Sequence, residues 1–417
     1  MASRLNLLAE KRKQAVEAET DPWLRFVKAW LSGTVVVLLL IAGLNVAVDP
    51  FFMFGVPLIC GFNQYKPATQ GREVLAKPAL LLQVKPHTVL VGTSKVQVGL
   101  NPNSPVWQPE DQPVFNAGLP GRTSPATLAT VETALAAASV HRVLVLLEPA
   151  DLLEPPAPFT PAVAFGHTGW SRLQDMLNAT LTRDALEASF QTLAGQWTDI
   201  PRGLRPDGQM YDGIFRGPTG AEGPGALFGQ KMPLNAEHIA NIAHRLAIQP
   251  SVSVAQLSVV QQIIALCQAK GVALDLALAP VHADLLRLID LAGLWPRYLF
   301  MRELLVQTIA EAPGPVRLWN FTGFNAYSTE PVPLLGRRAP ALRWFWEPNH
   351  FRPEYGELLL ETIYHGREGI GALLTPDDLA ALNQAQTTAM ERDHAAQPAE
   401  WARAAAALAK AQAKPGQ

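Results

Sequence analysis

The chain has 417 residues and a formal net charge of −2 at neutral pH, and 48% of its residues are hydrophobic. This is enough apolar material for one large domain or two ordinary ones, so size does not exclude a folded enzyme. Because there is no excess of basic residues to neutralise phosphates, a nucleic-acid partner is not expected.

An uncharged apolar run near the amino terminus predicts a transmembrane helix. Residues 30–48 carry no charged side chain and have about the length that a helix needs to cross a bilayer. Residues 1–28 carry six Lys and Arg side chains, which favours a cytoplasmic segment at 1–28 and an anchor at 29–48. We therefore expect a single-pass protein of a bacterial inner membrane with its carboxyl-terminal domain in the periplasm. A cleaved signal peptide and a buried core helix are the alternatives; against the first, no small-x-small cleavage site follows.

The remainder divides by composition into three parts. Residues 49–86 are rich in Pro, Gly and aromatics and predict an ordered but irregular connector. Residues 87–370 form the main domain, in which the region at about 150–250 breaks the regular pattern and is interpreted as a partly helical insertion. Residues 371–417 are rich in Ala and Gln and predict loosely attached helix followed by a frayed tail.

Apolar strands alternate with helices in the main domain. Near-continuous apolar strands separated by helices predict an α/β fold, with a mostly parallel sheet between two helical layers. The predicted strands are 88–91, 114–118, 141–148, 272–280 and 316–321.

The two cysteines and the histidine pattern give no sign of a metal site. Cys267 lies in an apolar run and is interpreted as a buried thiol, and a disulfide with Cys60 is not expected. No spacing of Cys and His residues is typical of zinc binding, so the sequence predicts neither a metal nor another cofactor.

A serine and a histidine stand where a hydrolase would need them. Ser94 directly follows the strand 88–91 through Gly92-Thr93, at the carboxyl edge where parallel sheets bind ligands. A serine hydroxyl needs a base within hydrogen-bond reach and a group that orients the base, and His350 and Glu347 fit these two roles. The alternative is structural: Ser94 would lie in a turn or helix cap, and Glu347 or Asn349 would cap the helix that follows.

Three motifs occur in the chain order Gly92-Thr-Ser94, Asn116-Ala-Gly118-Leu-Pro-Gly121 and Glu347-Pro-Asn-His350. Together they resemble the SGNH, or GDSL, hydrolase superfamily. More specifically, the chain resembles membrane-anchored SGNH-like proteins that work beside membrane-bound O-acyltransferases on bacterial surface polymers, as in alginate O-acetylation and teichoic-acid D-alanylation. The resemblance covers roughly residues 86–366 and implies a flavodoxin-like sheet.

The resemblance also implies roles for individual residues. Ser94 would be the nucleophile, His350 the general base and Glu347 its orienting acid, while the amides of Gly118 and Ser94 would form part of the oxyanion hole. Asn116 would contact substrate. No cofactor is implied.

Two side chains beside the histidine motif are of a type that binds carbohydrate. Trp344 and Trp346 lie next to the presumed site, and their rings could stack on the apolar face of a sugar; ordinary packing is the alternative reading.

The sequence departs from the SGNH pattern at three positions. Thr93 stands where the family usually has Asp, and Glu347 replaces the usual acid, which leaves a Ser–His dyad with a backbone carbonyl behind His350 as an alternative. The family's third block, with its oxyanion-hole asparagine, is not found; the corresponding strand ends near His282, which could occupy that place. Asn320 and Asn325 are other candidate donors.

Two functions follow as expectations. The first is a periplasmic acyltransferase or esterase acting on acyl groups, with acetyl the simplest, of a cell-surface polysaccharide, beside a membrane-bound O-acyltransferase or glycan-synthesis complex. The second is a catalytically degenerate SGNH-fold scaffold or polysaccharide-binding subunit of an envelope acylation or secretion complex. The missing third block favours the second.

Overall fold

The computed structural model describes residues 7–8, 10–12, 22–121, 124–154, 170–248, 254–333 and 342–413. Most of the predicted cytoplasmic segment and residues 155–169 of the predicted insertion lie outside these ranges. The helices are α1 (Pro22–Val48), α2 (Glu73–Val84), α3 (Ser94–Gly99), α4 (Ser124–Ala137), α5 (Trp170–Leu181), α6 (Arg183–Ala194), α7 (Gly213–Glu222), α8 (Gly225–Ile248), α9 (Val254–Ala269), α10 (Ala283–Leu291), α11 (Trp295–Ala310), α12 (Pro353–His365), α13 (Leu379–Ala396) and α14 (Pro398–Gln412). The strands are β1 (Thr88–Val91), β2 (Val114–Asn116), β3 (Arg142–Leu147), β4 (Ala273–Leu278), β5 (Arg317–Asn320) and β6 (Ala372–Leu373).

Helix α1 contains the predicted anchor. It is long and apolar enough to cross a membrane, and its residues 28–40 are all exposed, whereas most of 41–48 are buried or half-buried. Burial at one end alone distinguishes α1 from the core helix that the sequence left as an alternative, since a core helix is covered along most of its length.

The six strands form one sheet in the order β2-β1-β3-β4-β5-β6. Strands β1 to β5 are parallel, and β6 runs antiparallel to β5. The predicted mixed α/β fold with a mostly parallel sheet is therefore confirmed. Chain direction switches beside β1, with β2 on one side and β3 on the other, which creates a crevice at the carboxyl ends of these strands.

Both faces of the sheet are buried, which explains why most strand positions are apolar. Side chains alternate between faces along a strand. Val89 and Val145 belong to the larger core on one face, while Leu90 and Leu144 belong to the core that α12 covers on the other.

The predicted irregular connector contains a regular helix, so that part of the prediction is wrong. Helix α2 fills much of the second half of 49–86, and Ala76, Leu80 and Leu81 on it are buried in the main core. Pro78 lies inside this helix and misled the sequence interpretation, because an interior proline normally ends a helix. Here the packing of the apolar face outweighs the lost hydrogen bond.

The carboxyl-terminal segment is packed rather than loosely attached. Trp401, Ala404 and Leu408 on α14 are buried in the main core. Arg287 on α10, which is buried, donates to Asp393 on α13 at 2.9 Å and so joins the two helices. The run of alanines that suggested a loose tail instead lets α14 approach its neighbours closely.

Candidate active site

Ser94 opens a short helix directly after the central strand β1. Thr93 is the N-cap of this helix, and its hydroxyl accepts a hydrogen bond from the Lys95 amide at 3.3 Å. The chain after β2 passes very close, since a Cβ on Gly118 would lie 2.5 Å from the Gln97 nitrogen. These contacts hold the half-buried Ser94 at the carboxyl edge of the sheet.

His350 is held by a tight turn just before α12. The Trp346 amide donates to the His350 carbonyl at 2.9 Å, and Phe345 and Phe351 form an isolated antiparallel bridge around the turn. Both phenylalanines are buried in the core on that face of the sheet. The Glu347-Pro-Asn-His350 motif is therefore the tip of an anchored turn and does not cap α12, whose N-cap is Arg352.

The structure brings the three predicted catalytic side chains into contact. The Ser94 hydroxyl lies 2.7 Å from His350 Nε2, and His350 Nδ1 contacts the Glu347 carboxylate. With Nδ1–H donating to Glu347, Nε2 is left to accept from the serine, which is the tautomer that a general base requires. The geometry is that of a Ser-His-acid relay, and the catalytic role of these residues stays a prediction.

Glu347 is an ionised carboxylate in a buried position. Its side chain is 1% exposed, whereas that of His350 is 18% exposed. Burial raises the pKa of Glu347, but the adjoining His350 and the Asn349 amide, which donates to Glu347 at 3.1 Å, lower it by more. The pKa therefore lies below its usual value, so the carboxylate can orient and stabilise the imidazole at neutral pH.

A buried lysine next to the serine was missed by the sequence analysis. Lys95 Nζ donates to Asn349 Oδ1 at 2.7 Å and forms an ion pair with Glu148, to which the Thr93 hydroxyl also donates. This network ties the first turn of α3 to the carboxyl end of β3 and to the turn that carries His350. The flavodoxin-like strand order implied by the resemblance could have indicated this contact. In that order β1 and β3 are neighbours, and Glu148 directly follows β3.

The second motif holds α3 in place. Asn116 is fully buried, and its Nδ2 donates to the carbonyls of Val96 and Leu100 at 2.7 and 2.9 Å. The Gly118 amide donates to Asn116 Oδ1 at 3.1 Å. The predicted substrate-binding role of Asn116 is therefore not supported, and the Gly118 amide is already engaged.

His282 has no ring nitrogen free for an oxyanion. Its Nε2 contacts the Glu330 carbonyl at 2.9 Å, and its Nδ1 accepts from the Asp284 amide at 3.2 Å. Burial lowers the pKa of His282, which keeps the ring neutral. The predicted oxyanion role is not supported, because the residue caps α10. Asn320 donates to the Thr322 carbonyl at 3.0 Å, so its amide is engaged too.

The Ser94 amide remains as a candidate oxyanion donor. It lies in the first turn of α3, where backbone amides have no acceptor within the helix.

The two predicted substrate-stacking tryptophans differ in exposure. Trp346 is buried, stacks on Phe215 at 5.2 Å and lies 4.1 Å from the Arg352 guanidinium, so its ring is used in packing. Trp344 is half-buried, which leaves part of its ring open to a ligand. Phe215 also contacts the His350 ring and so forms an apolar wall beside the relay.

A small pocket opens beside Thr93. Its volume is about 30 Å³, and its wall is largely apolar, with side chains from β3, α9 and α11. Glu148 and Asp151 also line it. Burial, followed by the charge of Glu148, raises the pKa of Asp151 to about 7.

In the part of the chain that the structure describes, no group of three or more His, Cys, Asp and Glu side chains is placed to hold a metal ion. Comparison of the chain with protein-family models, with curated proteins and with solved structures finds no match. The SGNH resemblance therefore stays a prediction.

Proposed function

We propose that the protein is a membrane-anchored, serine-dependent acyltransferase or esterase acting on acyl groups, most simply acetyl, of a cell-surface polysaccharide. The single observation that carries this proposal is the relay in which Ser94 Oγ lies 2.7 Å from His350 Nε2 while Nδ1 contacts a buried carboxylate. A base at this distance can remove the serine proton as the hydroxyl attacks.

The proposed reaction has two steps. In the first, Ser94 Oγ bonds to the ester carbonyl carbon, His350 Nε2 takes the hydroxyl proton, and the protonated imidazole then gives it to the departing alkoxide. In the second, a sugar hydroxyl or water attacks the acyl-serine and gives its proton to His350, which returns it to Ser94. Glu347 stabilises the imidazolium in both steps.

The fold supports this assignment. The five parallel strands run in the order 2-1-3-4-5, with the serine after β1 and the histidine just before α12, as expected for an SGNH domain.

The polymer and the location are further parts of the proposal. The apolar helix α1 and the basic residues before it support an inner-membrane protein with a cytoplasmic amino terminus and a periplasmic domain. A tethered catalytic domain suits an envelope polymer better than a diffusing metabolite. A membrane-bound O-acyltransferase or a glycan-synthesis complex is the proposed partner, on the resemblance alone.

A non-catalytic scaffold or polysaccharide-binding subunit is the second candidate. It is favoured by the engagement of the Gly118 amide with Asn116 and of both His282 nitrogens with backbone groups. Loss of one oxyanion donor costs about 3 kcal/mol of transition-state stabilisation. A site with few oxyanion-hole donors would still bind a polymer.

Hydrolysis of p-nitrophenyl acetate by the full-length protein in detergent separates the two candidates. We expect Ser94→Ala and His350→Ala to reduce the rate to background, and a fluorophosphonate probe to label the wild type but not Ser94→Ala. Ser328→Ala is the matched control, since Ser328 is buried in a loop and bonds the Gly323 carbonyl. Equal background rates and no labelling in any protein would favour the scaffold.

A further inference from the structure

Helix α5 carries an apolar stripe on its outer side. Trp170, Leu173, Leu177 and Leu181 are 78%, 44%, 50% and 48% exposed. Their spacing of three and four residues places them on one side of the helix, away from the buried Ala179. A row of exposed large apolar side chains on a helix whose other side already packs on the protein indicates a further contact.

The inner side of α5 packs against α1 near the end of that apolar helix. Asn45 of α1 is fully buried, and its Nδ2 donates to the Thr180 carbonyl at 2.9 Å. Its Oδ1 accepts from the Ser189 hydroxyl of α6 at 2.7 Å. The Asn45 amide is thus satisfied by protein, as a polar group must be at membrane depth.

The length of α1 determines how deep α5 lies in the membrane. The uncharged part of α1 that the domain leaves uncovered, residues 29–40, spans about 18 Å at 1.5 Å per residue. The hydrocarbon core of a bilayer is about 30 Å thick. For α1 to cross it, residues 41–48 must lie at least partly within the apolar layer, together with the helices that pack on them.

We propose that α5 lies in the boundary of the membrane that α1 crosses, with Trp170, Leu173, Leu177 and Leu181 facing lipid. An amphipathic helix in this position buries its apolar side in the acyl region, and tryptophan favours the headgroup level. With a second helix fixed in the lipid boundary, the domain cannot turn freely on its tether. This inference depends on α1 spanning a bilayer and is independent of whether Ser94 is catalytic.

Spin labels on the full-length protein in phosphatidylcholine vesicles test this placement. In a Cys60→Ser background, labels are introduced by Leu173→Cys or Leu177→Cys on α5. Leu39→Cys, 66% exposed on α1, reports insertion, and Phe300→Cys, 45% exposed on α11, is the matched control on an element away from α1. Collision with oxygen, which concentrates in hydrocarbon, is compared with collision with a water-soluble nickel chelate.

We expect the labels at 39, 173 and 177 to relax with oxygen and to be shielded from nickel, and the label at 300 to show the reverse. A label at 177 that collides with nickel as readily as the one at 300 would overturn the proposal. Shielding of 173 and 177 from both reagents would also overturn it, since protein, such as a second copy, would then cover the stripe. If the label at 39 collides readily with the nickel chelate, α1 does not span the bilayer, and the proposal fails with its premise.

Discussion

Lys95 and Asn349, which directly follow Ser94 and directly precede His350, are joined by a hydrogen bond of 2.7 Å from Nζ to Oδ1. The lysine is buried and also pairs with Glu148 at the end of β3. One side chain therefore connects the two segments whose separation sets the distance from Ser94 to His350. We therefore predict that Lys95 is a positioning residue for the relay.

Lys95→Met should reduce both stability and turnover. It leaves the half-buried Glu148 without its charged partner, a change that costs up to about 3 kcal/mol, and it breaks the link to Asn349. We expect a lower Tm and, in the folded protein, a kcat for p-nitrophenyl acetate reduced about 10- to 100-fold with KM little changed.

The double variant Lys95→Met/Glu148→Leu separates positioning from stability. Removing both charges together should restore most of the Tm, because neither is then left unpaired. The link to Asn349 stays broken, so kcat should stay low. Recovery of kcat together with Tm would show that the lysine serves only to stabilise the fold.

The relay residues were predictable from the sequence, but the network around them was not. Ser94 and His350 were found because a strand end and a late acid-histidine motif are local patterns. Lys95 and Glu148 are 53 positions apart, and nothing near either residue shows that the other neutralises it. The contacts of Asn116 were hidden for a related reason, since a sequence does not show that the carbonyls of Val96 and Leu100 accept from its amide.

Glu347→Gln tests the acid of the relay against the alternative Ser–His dyad. The amide keeps the size of the side chain but lacks the charge that stabilises the imidazolium. We expect kcat to fall about 10²- to 10⁴-fold with little change in Tm. Glu354→Gln, on an exposed carboxylate of α12 that pairs with Arg352, is the matched control and should be neutral. An unchanged kcat in Glu347→Gln would favour the dyad.

The fold was predictable where burial on both faces made the strands apolar, and less so in helices held by long-range packing. β1 was predicted to the residue, whereas α2 was hidden by Pro78 and the packing of α14 by its run of alanines. In both helices the deciding contacts are with elements distant in sequence, such as the burial of Trp401 in the main core. Local propensity is outweighed by such contacts.

Gly356→Ala should separate α12 from α3. A Cβ at Gly356 would lie 1.9 Å from the Gly99 carbonyl oxygen. Because this oxygen belongs to the backbone of α3 and cannot turn away as a side chain could, the two helices must move apart. We expect a lower Tm and, because α12 follows directly on His350, a lower kcat. Gly220→Ala in α7 is the control: nothing lies within 4 Å of its Cβ, and alanine should be neutral or slightly stabilising in a helix. Equal Tm values for the two variants would contradict the close packing.

Lys77 should make the protein more stable at alkaline pH. Its Nζ is fully buried and donates to the carbonyls of Asn116 and Gly118, the motif that holds α3. Burial lowers the pKa of Lys77 from 10.5 to about 7. Between these values the unfolded chain holds a proton that the folded protein has released, so the free energy of unfolding rises with pH. The gain is complete above about pH 10.5 and is lost as the pH falls through about 7.

The measurement is the Tm of the full-length protein in detergent at pH 6.5 and at pH 9. The rise in Tm should be smaller in Lys77→Met than in the wild type, because methionine does not titrate. Lys66, whose pKa burial lowers to about 8, contributes a rise of the same sign to both proteins and cancels in the comparison. Lys270→Met, at an exposed position after α9, should retain the full wild-type rise. An equal rise in Lys77→Met and wild type would show that Lys77 keeps its proton on folding.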